Sequence, residues 1–180
     1  MVVSSEELLF ENRSYAVPQL RIQSMVKKGE LIPLKRGMYE TDSTAPGFLM
    51  ANAILGPSYI SFEYALSYHS MIPERVVTYT SATFGKNKKK EFTNSFGTFT
   101  YRDIPQAVFP YYYNRELYGN RPYLMASREK ALCDQLYIAT PIRGIHDFEE
   151  FLFDGMRLDE DIFDSLDFKK IKRIAPLYHK

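Results

Sequence analysis

The chain has 180 residues, 45% hydrophobic and 25% charged, with a formal net charge of +1. This is ordinary globular composition, enough for one domain or a small module plus a larger one. It excludes a field over the whole protein that would draw in nucleic acid, so such a function must rest on a local patch. No run approaches the roughly 18 apolar residues of a membrane span. The opening "MVVSSEELLFENRS" turns acidic without the basic-then-apolar order of a signal peptide. The single cysteine, Cys133, permits no internal disulfide and fits a reducing cytoplasm. The expectation is a cytoplasmic protein with no membrane partner.

In chain order, residues 4–11 read as a short helix. Ser4 or Ser5 caps it, and Glu6 and Glu7 complement its positive end. A second helix is expected over residues 15–28, stopped by Gly29. At about 100° per residue, Tyr15, Pro18, Ile22, Met25 and Val26 share one face. Gln19, Arg21, Gln23, Ser24, Lys27 and Lys28 are read as the other, with Val17 and Leu20 as exceptions. Residues 31–34 and 38–40 then form a hairpin around Lys35, Arg36 and Gly37, where Gly37 supplies a positive φ.

Helix, turn, helix and ribbon follow each other in the order of a winged helix-turn-helix, whose second helix enters the DNA major groove. Only Met1 to Val3 precede the first helix, so either the module is trimmed or another segment supplies the supporting helix. "TDSTAPG", residues 41–47, is a polar connector. The expected fold class is therefore α+β: a winged-helix module over 1–42 and a mixed α/β domain over 46–180.

In that second part, "FLMANAIL" reads as a buried helix and "SYIS" as a short strand, with Ser61 capping the helix "FEYALSYHSM". "RVVTYTSAT", "EFTNSF", "TFTYRDI" and "RPYLMA" are strand-like. The 14 Tyr and 13 Phe fall largely in such runs, which assigns most of them to packing rather than base stacking. The loop 85–90, with Lys86, Lys88, Lys89 and Lys90, joins the first two strands as a hairpin tip. Ser127 caps the helix "REKALCDQLYI". Residues 146–167 read as one or two short acidic helices and the tail as a basic one.

Charge is blocked along the chain. Residues 13–37 hold six bases and one acid, residues 147–167 nine acids and one base, and residues 168–180 five bases and no acid. The first block carries the strongest functional signal. Arg13, Lys27, Lys28, Lys35 and Arg36 suit phosphates. Gln19, Gln23 and Arg21 carry the amide and guanidinium forks that read adenine and guanine edges, and Ser24 lies among them.

Catalytic and metal signatures are thin. His69, His146 and His179 form no metal-binding pair, and there is no phosphate-cradling or nucleophile-elbow motif. Cys133 lies mid-helix, where a thiol is packing, and His69 has the place of a hydrogen-bonded structural group. No catalytic residue, metal or cofactor is expected.

The order of motifs resembles the AbiEi-type antitoxins and predicted transcriptional regulators of type IV toxin–antitoxin (abortive infection) systems. "LIPLKRGMYE" resembles that family's wing, "YISFEYALSYHSMIPE" the opening of its second domain, and "ASREKALCDQLY" its later helix. The likeness covers roughly residues 5–140. It implies an N-terminal module that binds and represses its own promoter; the one-sided helix with its basic wing adds the expectation of two copies, a homodimer on DNA, at an inverted repeat. The resemblance also implies a C-terminal domain that counters a nucleotidyltransferase-type toxin. Arg21, Gln23, Lys27 and Lys28 would then lie on the DNA-facing helix, and Lys35 and Arg36 on the wing.

For the toxin contact, the features singled out are the lysine loop, the acidic stretch 147–167 and the run Tyr111, Tyr112 and Tyr113. Three consecutive residues of a strand cannot all face one side, so an exposed tyrosine is expected among them. Two other classes stay open: a protein-interaction module whose winged helix no longer binds DNA, and a nucleic-acid enzyme using the acidic block.

Overall fold

The structure is a computed structural model that describes residues 1–178; His179 and Lys180, which close the basic tail, lie outside the described residues. The chain is mixed α+β with two sheets. Its first part runs β1 (Val2–Ser4), α1 (Ser5–Glu11), α2 (Pro18–Lys27), β2 (Ile32–Lys35) and β3 (Met38–Glu40). The strands form an antiparallel sheet in the order β1-β3-β2.

Ser4 starts α1 with a capping box. Its hydroxyl accepts the Glu7 N–H at 3.2 Å, and the Glu7 carboxylate accepts the Ser4 N–H at 2.7 Å. That places Ser4, not Ser5, at the cap. α2 begins later than the pattern suggested, at Pro18, where a residue without an N–H costs nothing in the first turn. Strand β1 was not anticipated: three residues are too few to show alternation.

Leu8, Ile22 and Leu31 form a small buried cluster under α1, α2 and the ribbon. The opposite side of the ribbon is not free. Leu34 belongs to the larger core, and Val2 and Met38 pack against it. Asn94 Nδ2 donates to the Leu34 carbonyl at 3.1 Å.

The second part starts with a 3-10 turn (Gly47–Met50) leading into α3 (Ala51–Ile54). Then follow β4 (Tyr59–Ile60), α4 (Phe62–Tyr68), β5 (Tyr79–Thr83), β6 (Lys90–Asn94), β7 (Gly97–Asp103), β8 (Tyr113–Tyr118), β9 (Arg121–Ala126) and α5 (Arg128–Ile138). Short helices α6 (Ile145–Glu150), α7 (Glu160–Asp164) and α8 (Phe168–Ile174) complete it, with a wider helical turn at Phe151–Gly155. Among the described residues the sheet has six strands in the order β6-β7-β5-β4-β9-β8. Pairs β5–β7 and β4–β9 are parallel and the others antiparallel.

Two expectations are corrected here. The lysine loop joins β5 to β6, but β7 lies between those strands, so the loop spans a strand and is not a hairpin tip. Ser61 occupies the N-cap of α4 without bonding its backbone; its hydroxyl points to Asp134 instead. Strand β8 was missed because "YYYNRELY" breaks the apolar–polar alternation that marks a half-buried strand.

Gly47 packs the start of the second part onto its sheet by close approach. A Cβ there would fall on the Tyr79 ring and 2.8 Å from the Phe96 carbonyl oxygen. Gly47→Ala is therefore expected to cost about 1–3 kcal/mol by overpacking, read as a lower urea midpoint at unchanged slope.

Candidate nucleic-acid interface

The exposed stripe of α2 is narrower than the sequence suggested. Gln19, Gln23 and Lys27, four residues apart, are all exposed, and Leu20 beside them is 59% exposed. Arg21 does not join them. Two residues along a helix turn the side chain by about 200°, and Arg21 is half-buried with its guanidinium 5.7 Å from the Tyr15 ring centroid. Its Nε is buried without a hydrogen-bond partner among the described residues. Ser24 is half-buried, and Lys28 caps the C-terminal end on the side away from Gln23. Arg13 lies against α1: it sits 4.1 Å over the Phe10 ring, and Nη1 donates to the Phe10 carbonyl at 3.1 Å.

Between α2 and the ribbon runs an open groove of about 480 Å³. Ile22, Val26 and Tyr39 line it with apolar surface, and Lys27 and Arg36 add charge. Arg36 and Gly37 make the turn of the hairpin, with Gly37 at φ +78° as expected. Lys27, Lys28 and Arg36 have no ion pair among the described residues.

Lys35 departs from the wing-tip role. It is half-buried, and its Nζ donates to the Ile54 carbonyl at 2.5 Å. β2 carries an irregular register between Pro33 and Lys35, and the side chain turns toward the end of α3. Lys86 does the same from the other side, donating from Nζ to the Gly56 carbonyl at 3.2 Å. The ribbon and the lysine loop thus flank one turn of chain. Asp103 holds the loop by accepting the Lys86 and Asn87 N–H groups, both at 2.7 Å. Lys88 and Lys89 remain exposed, Lys89 lies 3.7 Å from Glu91, and Lys90 begins β6.

The tyrosine run is distributed otherwise than expected. Tyr111, Tyr112 and Tyr113 are all half-buried. Tyr113 stacks on Tyr59 with centroids 4.7 Å apart. Arg173 lies 5.6 Å from the Tyr111 ring and Lys170 5.9 Å from that of Tyr112. Tyr112 adopts a positive φ of 54°, which breaks the strand alternation before β8 begins. The exposed apolar side chains of this stretch are Leu117 (64%) and Tyr118 (55%).

The acidic block is partly structural. Asp159 caps α7 by accepting the Ile162 N–H at 2.9 Å, and Asp167 caps α8 by accepting that of Lys169 at 3.0 Å. Among the described residues no group of three His, Cys, Asp or Glu side chains is placed to hold a metal. His69 has the structural role read for it: Nε2 lies 2.8 Å from the Ala126 carbonyl oxygen.

One polar cluster went unread. Lys130 and Asp134, both fully buried, form an ion pair at 2.8 Å one turn apart on α5. Asp134 also accepts from Tyr59 at 3.0 Å, Ser61 at 2.7 Å and Tyr178 at 2.6 Å. Lys130 Nζ and the Tyr178 hydroxyl lie 2.7 Å apart. Burial pushes the Tyr59 and Tyr178 hydroxyls upward, helped by the Asp134 charge. Burial holds Lys130 below the ordinary lysine range despite Asp134. It also pushes the adjacent Cys133 thiol up to about 12, which leaves it unreactive. The sequence signal was a Lys and an Asp at i and i+4 on a helix with apolar neighbours. The cluster ties β4, α5 and the C-terminal segment together.

No protein-family model matches the chain, and no curated protein matches it.

Proposed function

We propose that this protein is a non-enzymatic, DNA-binding regulator of its own promoter that also counters a nucleotidyltransferase-type toxin. In this reading α2 enters the major groove and β2–β3 is a short wing. The observation that carries it is the exposed stripe Gln19, Gln23 and Lys27, of which Gln23 and Lys27 border a groove whose far side ends in Arg36. Amide forks read base edges, and the cations meet phosphates. The topology supports it too: strand, helix, helix, strand, strand, with the first strand beside the last, is what a winged helix contains after its first helix. The antitoxin half rests on the resemblance of the segments 59–74 and 126–137, and its partner surface would include Lys88, Lys89 and Tyr118.

The test is binding to the DNA upstream of its own gene across a salt series. Arg36→Ala should reduce the slope of log K against log salt by about one unit, and Gln23→Ala should relax sequence preference. Lys35→Ala should leave the slope unchanged, because its charge faces the Ile54 carbonyl. No binding at low salt would remove the regulatory reading. The interaction-only reading is favoured by that same turned-in Lys35. Growth protection against the co-encoded toxin should be measured in the full chain, because Leu34, Met38 and Val2 of the ribbon pack in the main core. A Gln19, Gln23 and Lys27 triple alanine variant is expected to lose DNA binding and keep protection.

A further inference from the structure

The most exposed apolar side chain of α2 is Leu20, 59% open to solvent. It lies in the first turn of the helix, three residues before Gln23 and seven before Lys27, so these three share one stripe. Val17, at the N-cap and three residues earlier, is 48% exposed. Tyr15, also exposed, is approached by Arg21 at 5.7 Å. Leu20 and Val17 are thus open apolar groups at the end of α2 that would penetrate deepest, flanked by an amide fork and a cation. In helix-turn-helix docking the N-terminal residues of the second helix meet base edges. The apolar feature of those edges in the major groove is the C5-methyl group of thymine.

We propose that Leu20, with Val17 beside it, is a specificity determinant that packs on thymine methyl groups in the operator. This rests on the DNA-binding reading above. The two amides nearest Leu20, Gln19 and Gln23, suit adenine, the thymine partner, since both can offer a donor–acceptor fork. The preferred site is therefore rich in A·T pairs at the positions under the helix N-terminus.

The experiment compares two duplexes of the region upstream of the gene, one made with thymidine and one with deoxyuridine throughout. The swap deletes every C5-methyl group and keeps base pairing. The wild-type protein is expected to bind the thymidine duplex tighter, by about fourfold for each methyl group covered. Leu20→Ala, a surface change that leaves the fold intact by circular dichroism, should lose most of this discrimination, and Leu20→Ala with Val17→Ala should bind both duplexes alike. Equal wild-type affinity for the two duplexes overturns the proposal, and so does full discrimination by Leu20→Ala. A Leu20→Ala change in oligomeric state without DNA, with discrimination retained, would assign the leucine to a protein contact and overturn it as well. Binding without methyl sensitivity removes this proposal alone; absence of all binding removes the regulatory reading with it.

Discussion

Asp134→Ala is expected to destabilise the fold by about 3–5 kcal/mol, the scale for removing one member of a buried ion pair. The cause is what remains. Lys130 keeps a charge with no exposed side-chain surface, and three hydroxyls, from Tyr59, Ser61 and Tyr178, lose their acceptor. Urea unfolding of the full chain measures it as a shifted midpoint at constant slope. Removing both charges, in Lys130→Met with Asp134→Leu, should recover a large part of the loss, because apolar side chains need no solvation. A double variant as unstable as Asp134→Ala would take the cost away from the stranded Lys130 charge and place it in the three hydroxyls left without an acceptor. Tyr178→Phe is a milder arm: it removes one hydroxyl bonded to charged groups and should cost about 1.5–3 kcal/mol.

Glu40→Gln is expected to cost about 2 kcal/mol near neutral pH, as a hydrogen-bonded charge lost from a buried site, and to flatten part of the acid limb. The Glu40 side chain is fully buried and receives Arg121 Nη2 at 2.6 Å, the Met1 amino group, and the Thr41 and Asp42 N–H groups at 3.1 Å. Burial pushes its carboxyl upward, but these donors outweigh it and hold it below the usual carboxylate range. The unfolded chain therefore binds the proton first as pH falls. The stability Glu40 contributes is full above its ordinary value of 4.5 and is lost as pH falls through the lower folded-state value. Glu129 behaves alike: burial raises its carboxyl, but bonds from its own N–H, Ser127 and the Asp167 N–H, with Lys170 nearby, lower it. Wild-type stability should thus fall steeply below about pH 4.5, and Glu40→Gln should fall less steeply. Parallel acid limbs would count against the assignment.

Much of the local structure was legible because short-range chemistry controls it. The capping serines at 4 and 127, the Gly37 turn and the aromatic strands β7 and β9 all follow from neighbours in sequence. What failed depends on distant partners. Lys35 reads as a wing cation until the Ile54 carbonyl is placed beside it. Ser61 reads as a cap until Asp134 competes for its hydroxyl. Tyr113 reads as available until Tyr59, from the middle of the sheet, covers its face. The DNA-facing stripe was half visible: Gln19, Gln23 and Lys27 follow from a spacing of four, but Arg21 was grouped with them on polarity rather than angle.

Strand β4 has only two residues, Tyr59 and Ile60, yet it bonds β5 on one side and β9 on the other. It is the seam between two parts that can each assemble from nearby chain: the β6–β7 hairpin, which β5 then joins, and the β8–β9 hairpin. Ile60 and Met125, paired across the seam, lie far apart in the chain, so that contact carries the larger loop-closure entropy. The cheapest order of assembly forms the two hairpins first and joins them last. Slow folding steps should then respond most to changes at Tyr59, Ile60 and Met125.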